Sequence, residues 1–200
     1  MMIQHTEVPV RFTILSFSVF LLLLFAGAEP ALAAAGDLPG GHQWFLFGHF
    51  LGMILLMGNV IVSALWMTQA RKSADRAILF CASRSVARAD WLLTLPGLLL
   101  ILVPGIATVG PWGGFGRASW AELSLSVFVL IAIIWAVFLL RYQRRMLHLT
   151  REAAELRIGL STDFFKIERR WSMWNGIVTL LLLGSLYLMV FKPHLWGPVD

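Results

Sequence analysis

Four apolar runs of about 20 residues each constrain this chain more than any other feature, because that is the length a helix needs to cross a bilayer. They lie at Trp44–Met67, Trp91–Gly110, Ala121–Leu140 and Trp171–Phe191, and Glu122 is the single formal charge inside them. At 1.5 Å rise per residue each run spans the ~30 Å hydrocarbon layer. Lipid offers the backbone no hydrogen-bond partner, so the runs must be helices, and no alternating polar pattern supports a barrel. The fold class expected is all-α: an integral-membrane four-helix bundle over residues 44–193, preceded by a signal peptide or a fifth N-terminal helix. Composition agrees. The hydrophobic fraction is 58% and the charged fraction 14%, against roughly 25% charged for a soluble domain.

The N-terminal segment reads as a signal peptide over residues 1–33. Arg11 supplies a positive start, Phe12–Gly27 an apolar stretch, Pro30 a break, and Ala31 and Ala33 the small residues that a signal peptidase requires. The alternative is an uncleaved anchor helix.

Orientation follows from the basic residues. Arg71, Lys72, Arg76, Arg84 and Arg88 follow the first run. Arg141, Arg144, Arg145, Arg151, Arg157, Lys166, Arg169 and Arg170 follow the third, whereas the other side carries only Arg117 and Lys192. Basic loops stay in the cytoplasm, which puts the chain in a bacterial inner membrane with the mature N-terminus and the C-terminus in the periplasm. The net charge of +5 is thus a membrane signal, with no nucleic acid implied; anionic lipid headgroups suffice as its partner. One cysteine, Cys81, excludes an intrachain disulfide and a thiolate cluster. Tryptophans 44, 66, 91, 112, 120, 171 and 196 fall near span ends, as interfacial anchors do.

Polar groups inside a membrane are costly, so functional hypotheses start from them. His49 stands in the first run between Gly48 and Gly52, a small-xxx-small pair that admits a close neighbouring helix. Met53 and Met57 continue the same stripe, and His42 precedes it by seven residues. His194 lies beyond the outer end of the fourth run, with Met189 inside it. Two cofactors suit this outer-half set. A neutral imidazole is a haem ligand, and imidazole with thioethers suits copper(I). The competing reading gives His49 a hydrogen bond to a facing helix and leaves the methionines as apolar filling. His49 is the one histidine within a run, which disfavours a two-histidine haem.

A second set, Asn59, Asp90, Thr94 and Asn175, is expected in the cytoplasmic half. Asp90 reads as the cap of the second span and Trp91 as its anchor, with Pro96 and Gly97 permitting a kink. Alternatively the four residues face one another as a polar cluster. With Asp90 at a helix end, no span carries a central Asp, Glu, Lys or Arg, which argues against a proton-driven pump or an ion channel.

The string from His49 through Gly58-Asn59 and Trp66 to Ala89-Asp90-Trp91-Leu92-Leu93-Thr94-Leu95-Pro96-Gly97 resembles a bacterial predicted integral-membrane family catalogued as domain of unknown function 2269. So does the ending, Arg169-Arg170-Trp171 followed by Leu186-Tyr187-Leu188-Met189-Val190-Phe191-Lys192-Pro193. The resemblance covers roughly Gly48 to Pro193 and implies a four-helix membrane bundle, with no activity attached. More loosely, the architecture is similar to copper-resistance D membrane proteins and to small haem-associated protoporphyrinogen oxidases. Only His49 carries over, and the oxidases' supporting intramembrane basic residue is missing here. The function expected is an accessory or assembly subunit without a catalytic site of its own, holding haem or copper at His49 and Met53, with His42 and His194 as further metal ligands. Its partners would be the lipid bilayer and other membrane subunits or a second copy. A haem-using membrane oxidoreductase and an oligomeric transporter are the alternatives.

Overall fold

The computed structural model describes residues 40–73 and 75–196. The leader expected over residues 1–33 lies outside them. Four long helices, α1 (Gly41–Ser73), α2 (Arg76–Ala107), α3 (Ser119–Glu155) and α4 (Thr162–Phe191), are each apolar and long enough to cross a membrane. No strand occurs among the described residues. Each helix packs against its neighbours in sequence, and α4 closes the ring against α1.

The helices are longer than the apolar runs: this corrects the expectation of a basic loop after the first run, whereas a helical start to the basic stretch after the third run, extending the third span, is the expected outcome. Arg76 to Arg88 belong to α2 and Arg141 to Arg151 to α3, both in unbroken helix. The pattern of burial explains why. Leu79, Ser83 and Val86 are buried along one stripe of α2, and Met146, Thr150 and Ala153 along one stripe of α3, while Arg84, Arg88, Arg144 and Arg145 point outward. Spacings of three and four mark an amphipathic helix with a charged outer face, so the bundle continues past the apolar runs as a four-helix stalk. In the apolar halves the outward residues are instead Ile54, Leu92, Leu180 and Val190, all well exposed, as a lipid-facing surface requires.

The cap expected at Asp90 sits elsewhere. Asp75 is the N-cap of α2, its carboxylate accepting from the backbone N–H groups of Ala77 (2.7 Å) and Ile78 (3.4 Å). Asp90 is therefore internal to a continuous helix rather than its cap, and lies at the edge of the apolar run that begins at Trp91. At the basic end Arg71 pairs with the buried carboxylate of Glu168 at 3.2 Å, and Arg76 donates to the Ile158 carbonyl at 3.0 Å.

In their apolar halves α1 and α2 meet through glycine. A Cβ on Gly52 would stand 2.7 Å from the Ile101 nitrogen and 2.9 Å from the Gly97 oxygen, so the two backbones touch. The equivalent halves of α2 and α3 approach less closely than their basic halves do, which leaves space in the bundle at the far end. That end is closed by the chain after α4. Leu195 N donates to Ser119 Oγ at 3.0 Å, Trp196 Nε1 to Glu122 Oε2 at 3.0 Å, and Lys192 lays its ammonium 3.5 Å from the centre of the Trp112 ring. Of the tryptophans expected at the interface, Trp120 and Trp171 are instead buried in protein.

Candidate functional site

Two polar sites occupy the bundle, one in each half. In the far half His49 is buried, and its Nδ1 lies 2.8 Å from the carbonyl of Ile101. A carbonyl can only accept, so Nδ1 carries a proton, and in the neutral ring Nε2 is then the nitrogen with the lone pair. The placement follows from sequence. Gly105 leaves room for the ring, since a Cβ there would lie 3.0 Å from His49 Nδ1. Pro104 lacks the N–H that would bond the Leu100 carbonyl, one residue before Ile101, and so loosens the α2 ladder beside the ring.

His49 lines a chamber of about 50 Å³ together with Met53 of α1, Ile101 and Gly105 of α2, Ser124 and Phe128 of α3, and Ser185 and Met189 of α4. Ser124 Oγ is buried there without a hydrogen bond among the described residues. A wider pocket of about 330 Å³ shares His49, Met53 and Met189 and adds His42, Trp112, Trp120 and Lys192. His42 Nδ1 is likewise buried without a partner. The fold thus brings His42, His49 and Met53 to one pocket, with Met189 facing them from α4. His194 is exposed and lines neither space, and Met57 packs on the hydrophobic core instead. Among the described residues no group of three His, Cys, Asp or Glu could hold a metal ion, so any metal here would rest on imidazole and thioether.

The second site is built on two irregular turns. Asp90–Thr94 of α2 and Trp135–Leu139 of α3 are π-helical. In the first, Leu95 N–H bonds the Asp90 carbonyl, taking the donor that an α-helix would give to Trp91; Leu140 does the same with Trp135. The two turns face each other. Asp90 Oδ2 accepts from Trp135 Nε1 at 3.2 Å, and Oδ1 accepts from Asn59 Nδ2 at 2.8 Å and Thr94 Oγ1 at 3.0 Å. Asn59 Nδ2 also reaches Thr94 Oγ1 at 2.7 Å, and Ser63 Oγ donates to Asn59 Oδ1 at 3.3 Å. Asn175 donates to the Val60 carbonyl at 3.4 Å and lines the same cavity of about 20 Å³. Asn59, Asp90, Thr94 and Asn175 therefore meet around one space. No Lys, Arg or His pairs with Asp90 among the described residues.

Sequence reasoning missed Trp135, whose neighbours Ile134 and Ala136 make it look like apolar filling. The signal available was that Trp135 would be a tryptophan in mid-span, where its N–H needs a buried acceptor.

The chain belongs to the family described as predicted integral membrane protein (DUF2269), which matches residues 43–193. No curated protein and no solved structure matches it.

Proposed function

We propose that this membrane protein is an accessory or assembly subunit of a bacterial inner membrane that holds copper(I) at His49. The observation that carries the reading is the chamber that His49 shares with Met53 and Met189; the Nδ1 hydrogen bond to the Ile101 carbonyl at 2.8 Å, which a purely structural histidine makes too, serves it by leaving Nε2 as the ring's acceptor. Metal-bound histidines characteristically donate their other ring N–H to a carbonyl or carboxylate, which fixes the tautomer and raises ligand basicity. The free Nε2 belongs to a residue that lines one chamber with Met53 and Met189, and thioethers with imidazole favour copper(I) over harder ions. His42, in the wider pocket, supplies a further imidazole on the route inward.

The orientation proposed places the basic stalk in the cytoplasm and the chamber near the periplasmic side, by the thirteen-to-two distribution of Lys and Arg after the leader. Exposed apolar side chains along the spans leave surface for lipid, for other subunits or for a second copy.

Metal analysis of protein purified in mild detergent from copper-supplied cells tests the reading. About one copper per chain is expected, lost in His49→Ala and reduced in Met53→Leu. A Soret band would replace copper with haem, and wild-type protein with neither would remove the cofactor altogether.

A further inference from the structure

The described acidic side chains of the basic stalk are all engaged. Asp75 caps α2, Glu152 lies 3.9 Å from His148, Glu155 accepts from Arg151 at 2.8 Å, Asp163 lies 3.8 Å from Lys166, and Glu168 pairs with Arg71 at 3.2 Å. Among the described residues Arg84 and Arg144 therefore have no acidic partner. Other stalk arginines share that condition, Arg145 among them, but Arg84 and Arg144 also share a cleft. It has a volume of about 610 Å³ and lies between α2 and α3, lined by Phe80 and Arg84 of the first helix and by a stripe of the second from Arg144 to Glu155.

Charge is uneven along this cleft. At its outer end Arg151 and Glu155 offset each other, and at its membrane end Arg84 and Arg144 stand unmatched. Arg144 lies four residues past Leu140, which ends the third apolar run, and Arg84 seven before Trp91, which opens the second. At 1.5 Å per residue these positions are about 6 and 10 Å from the runs, and the headgroup layer of one leaflet is about 5–8 Å deep. Long arginine side chains reach further towards it. The unmatched charge thus stands close to the depth of lipid phosphates. A guanidinium fork holds a phosphate by two parallel N–H bonds. Phe80 and Leu147, both half-buried, give the cleft apolar walls, and a partly buried ion pair is screened less than an exposed one. Basic pockets between membrane helices take anionic lipid headgroups in this way.

We propose that the cleft between α2 and α3 binds the headgroup of one anionic phospholipid, its phosphate held by Arg84 and Arg144. The site adds a defined position to the diffuse attraction that any basic surface exerts on anionic lipid. It does not depend on copper at His49.

The test uses the full chain, stripped of lipid in a non-ionic detergent and titrated with dioleoyl phosphatidylglycerol or dioleoyl phosphatidylcholine. Native mass spectrometry counts the lipid retained. About one phosphatidylglycerol per chain should be held at concentrations where phosphatidylcholine is not, since only the former carries net charge. Arg84→Gln and Arg144→Gln should each weaken retention by about tenfold, the lower end for hydrogen bonds to a charged group. Both side chains are exposed, so both variants should keep the fold. Arg145→Gln removes the same charge one residue along α3 and outside the cleft, and should leave retention unchanged. Equal losses in all three variants would overturn the proposal, by reducing the effect to diffuse attraction, as would equal retention of the two lipids. Inorganic pyrophosphate bound through Arg84 and Arg144, with no phosphatidylglycerol retained, would overturn it too, by assigning the cleft to a soluble phosphate compound.

Discussion

Trp135 donates its indole N–H to Asp90 Oδ2 across 3.2 Å, and each of the two residues opens a π-turn, one on α3 and one on α2. The bond ties the two irregular turns together at the level where the lipid-facing half gives way to the stalk. Trp135→Phe removes the donor and keeps most of the ring. Its expected cost is about 0.6–1.7 kcal/mol, the range for interhelical hydrogen bonds inside membranes. Asp90→Ala should cost more, about 2–3 kcal/mol, because Asn59 and Trp135 then keep buried donors without an acceptor. Unfolding of detergent-purified protein in increasing SDS, with the double variant to close the cycle, measures both. Additive losses would show that the two turns do not support each other.

Much of this arrangement was legible beforehand, and the rest was hidden for physical reasons. Hydropathy located the four crossings, because charge is excluded from lipid, and the polar exceptions Asn59, Asp90, Thr94 and Asn175 stood out for the same reason. The glycine pair around His49 pointed to a close helix, and Gly97, Ile101 and Gly105 supply it. Hydropathy falls at Asp90 and again after Leu140, but helix continues there on amphipathic faces that hydropathy alone does not separate from loops. The stripe of Leu79, Ser83 and Val86, continued at Asp90, would have shown the continuation. The π-turns had no local signature. Asp-Trp-Leu-Leu-Thr and Trp-Ala-Val-Phe-Leu are ordinary helical strings, and their shifted ladders bring together side chains distant in sequence.

Gly52 and Gly58 lie six residues, about one and two-thirds turns, apart on α1 and should respond oppositely to alanine. At Gly52 the added Cβ meets backbone atoms of α2 at 2.7–2.9 Å, and backbone cannot rotate aside. Separating the two helices should cost about 2 kcal/mol or more, within the range of overpacking in tight cores. At Gly58 nothing lies within 4 Å, so Gly58→Ala should be neutral or stabilising by up to about 1 kcal/mol through helix propensity. Thermal unfolding in one detergent compares them directly. Equal effects would contradict the close contact of α1 with α2.

The ion pairs of the stalk differ by burial. Glu168 is 5% exposed in its side chain and Arg71 48%, and Glu168 Oε1 also accepts from Ser172 Oγ at 3.1 Å. Arg71→Ala leaves that carboxylate short of its cation, and the half-exposed arginine limits the expected loss to about 1 kcal/mol after solvent screening. The Arg151–Glu155 pair is exposed on both sides, and Arg151→Ala should leave the unfolding midpoint unchanged. Chemical denaturation at low and high salt distinguishes them, with Arg71→Ala the larger loss in both.

The single cysteine makes orientation measurable in the native chain. Cys81 is exposed on α2, nine residues from Asp90 towards the basic end, or about 14 Å along a helix at 1.5 Å per residue. That distance carries the thiol out of the hydrocarbon and into the stalk, beside Arg84 and Arg88. If the basic stalk is cytoplasmic, a membrane-impermeant maleimide should label Cys81 in inverted vesicles and spare it in intact spheroplasts. A reciprocal probe is Leu195→Cys in a Cys81→Ser background, since Leu195 is exposed in the segment that closes the far end. It should react in spheroplasts. Four crossings place these two positions on opposite sides, so labelling of both from one side would contradict the bundle. Labelling of Cys81 from outside and of position 195 from inside would keep the bundle and invert it, against the force that retains arginine and lysine in the cytoplasm.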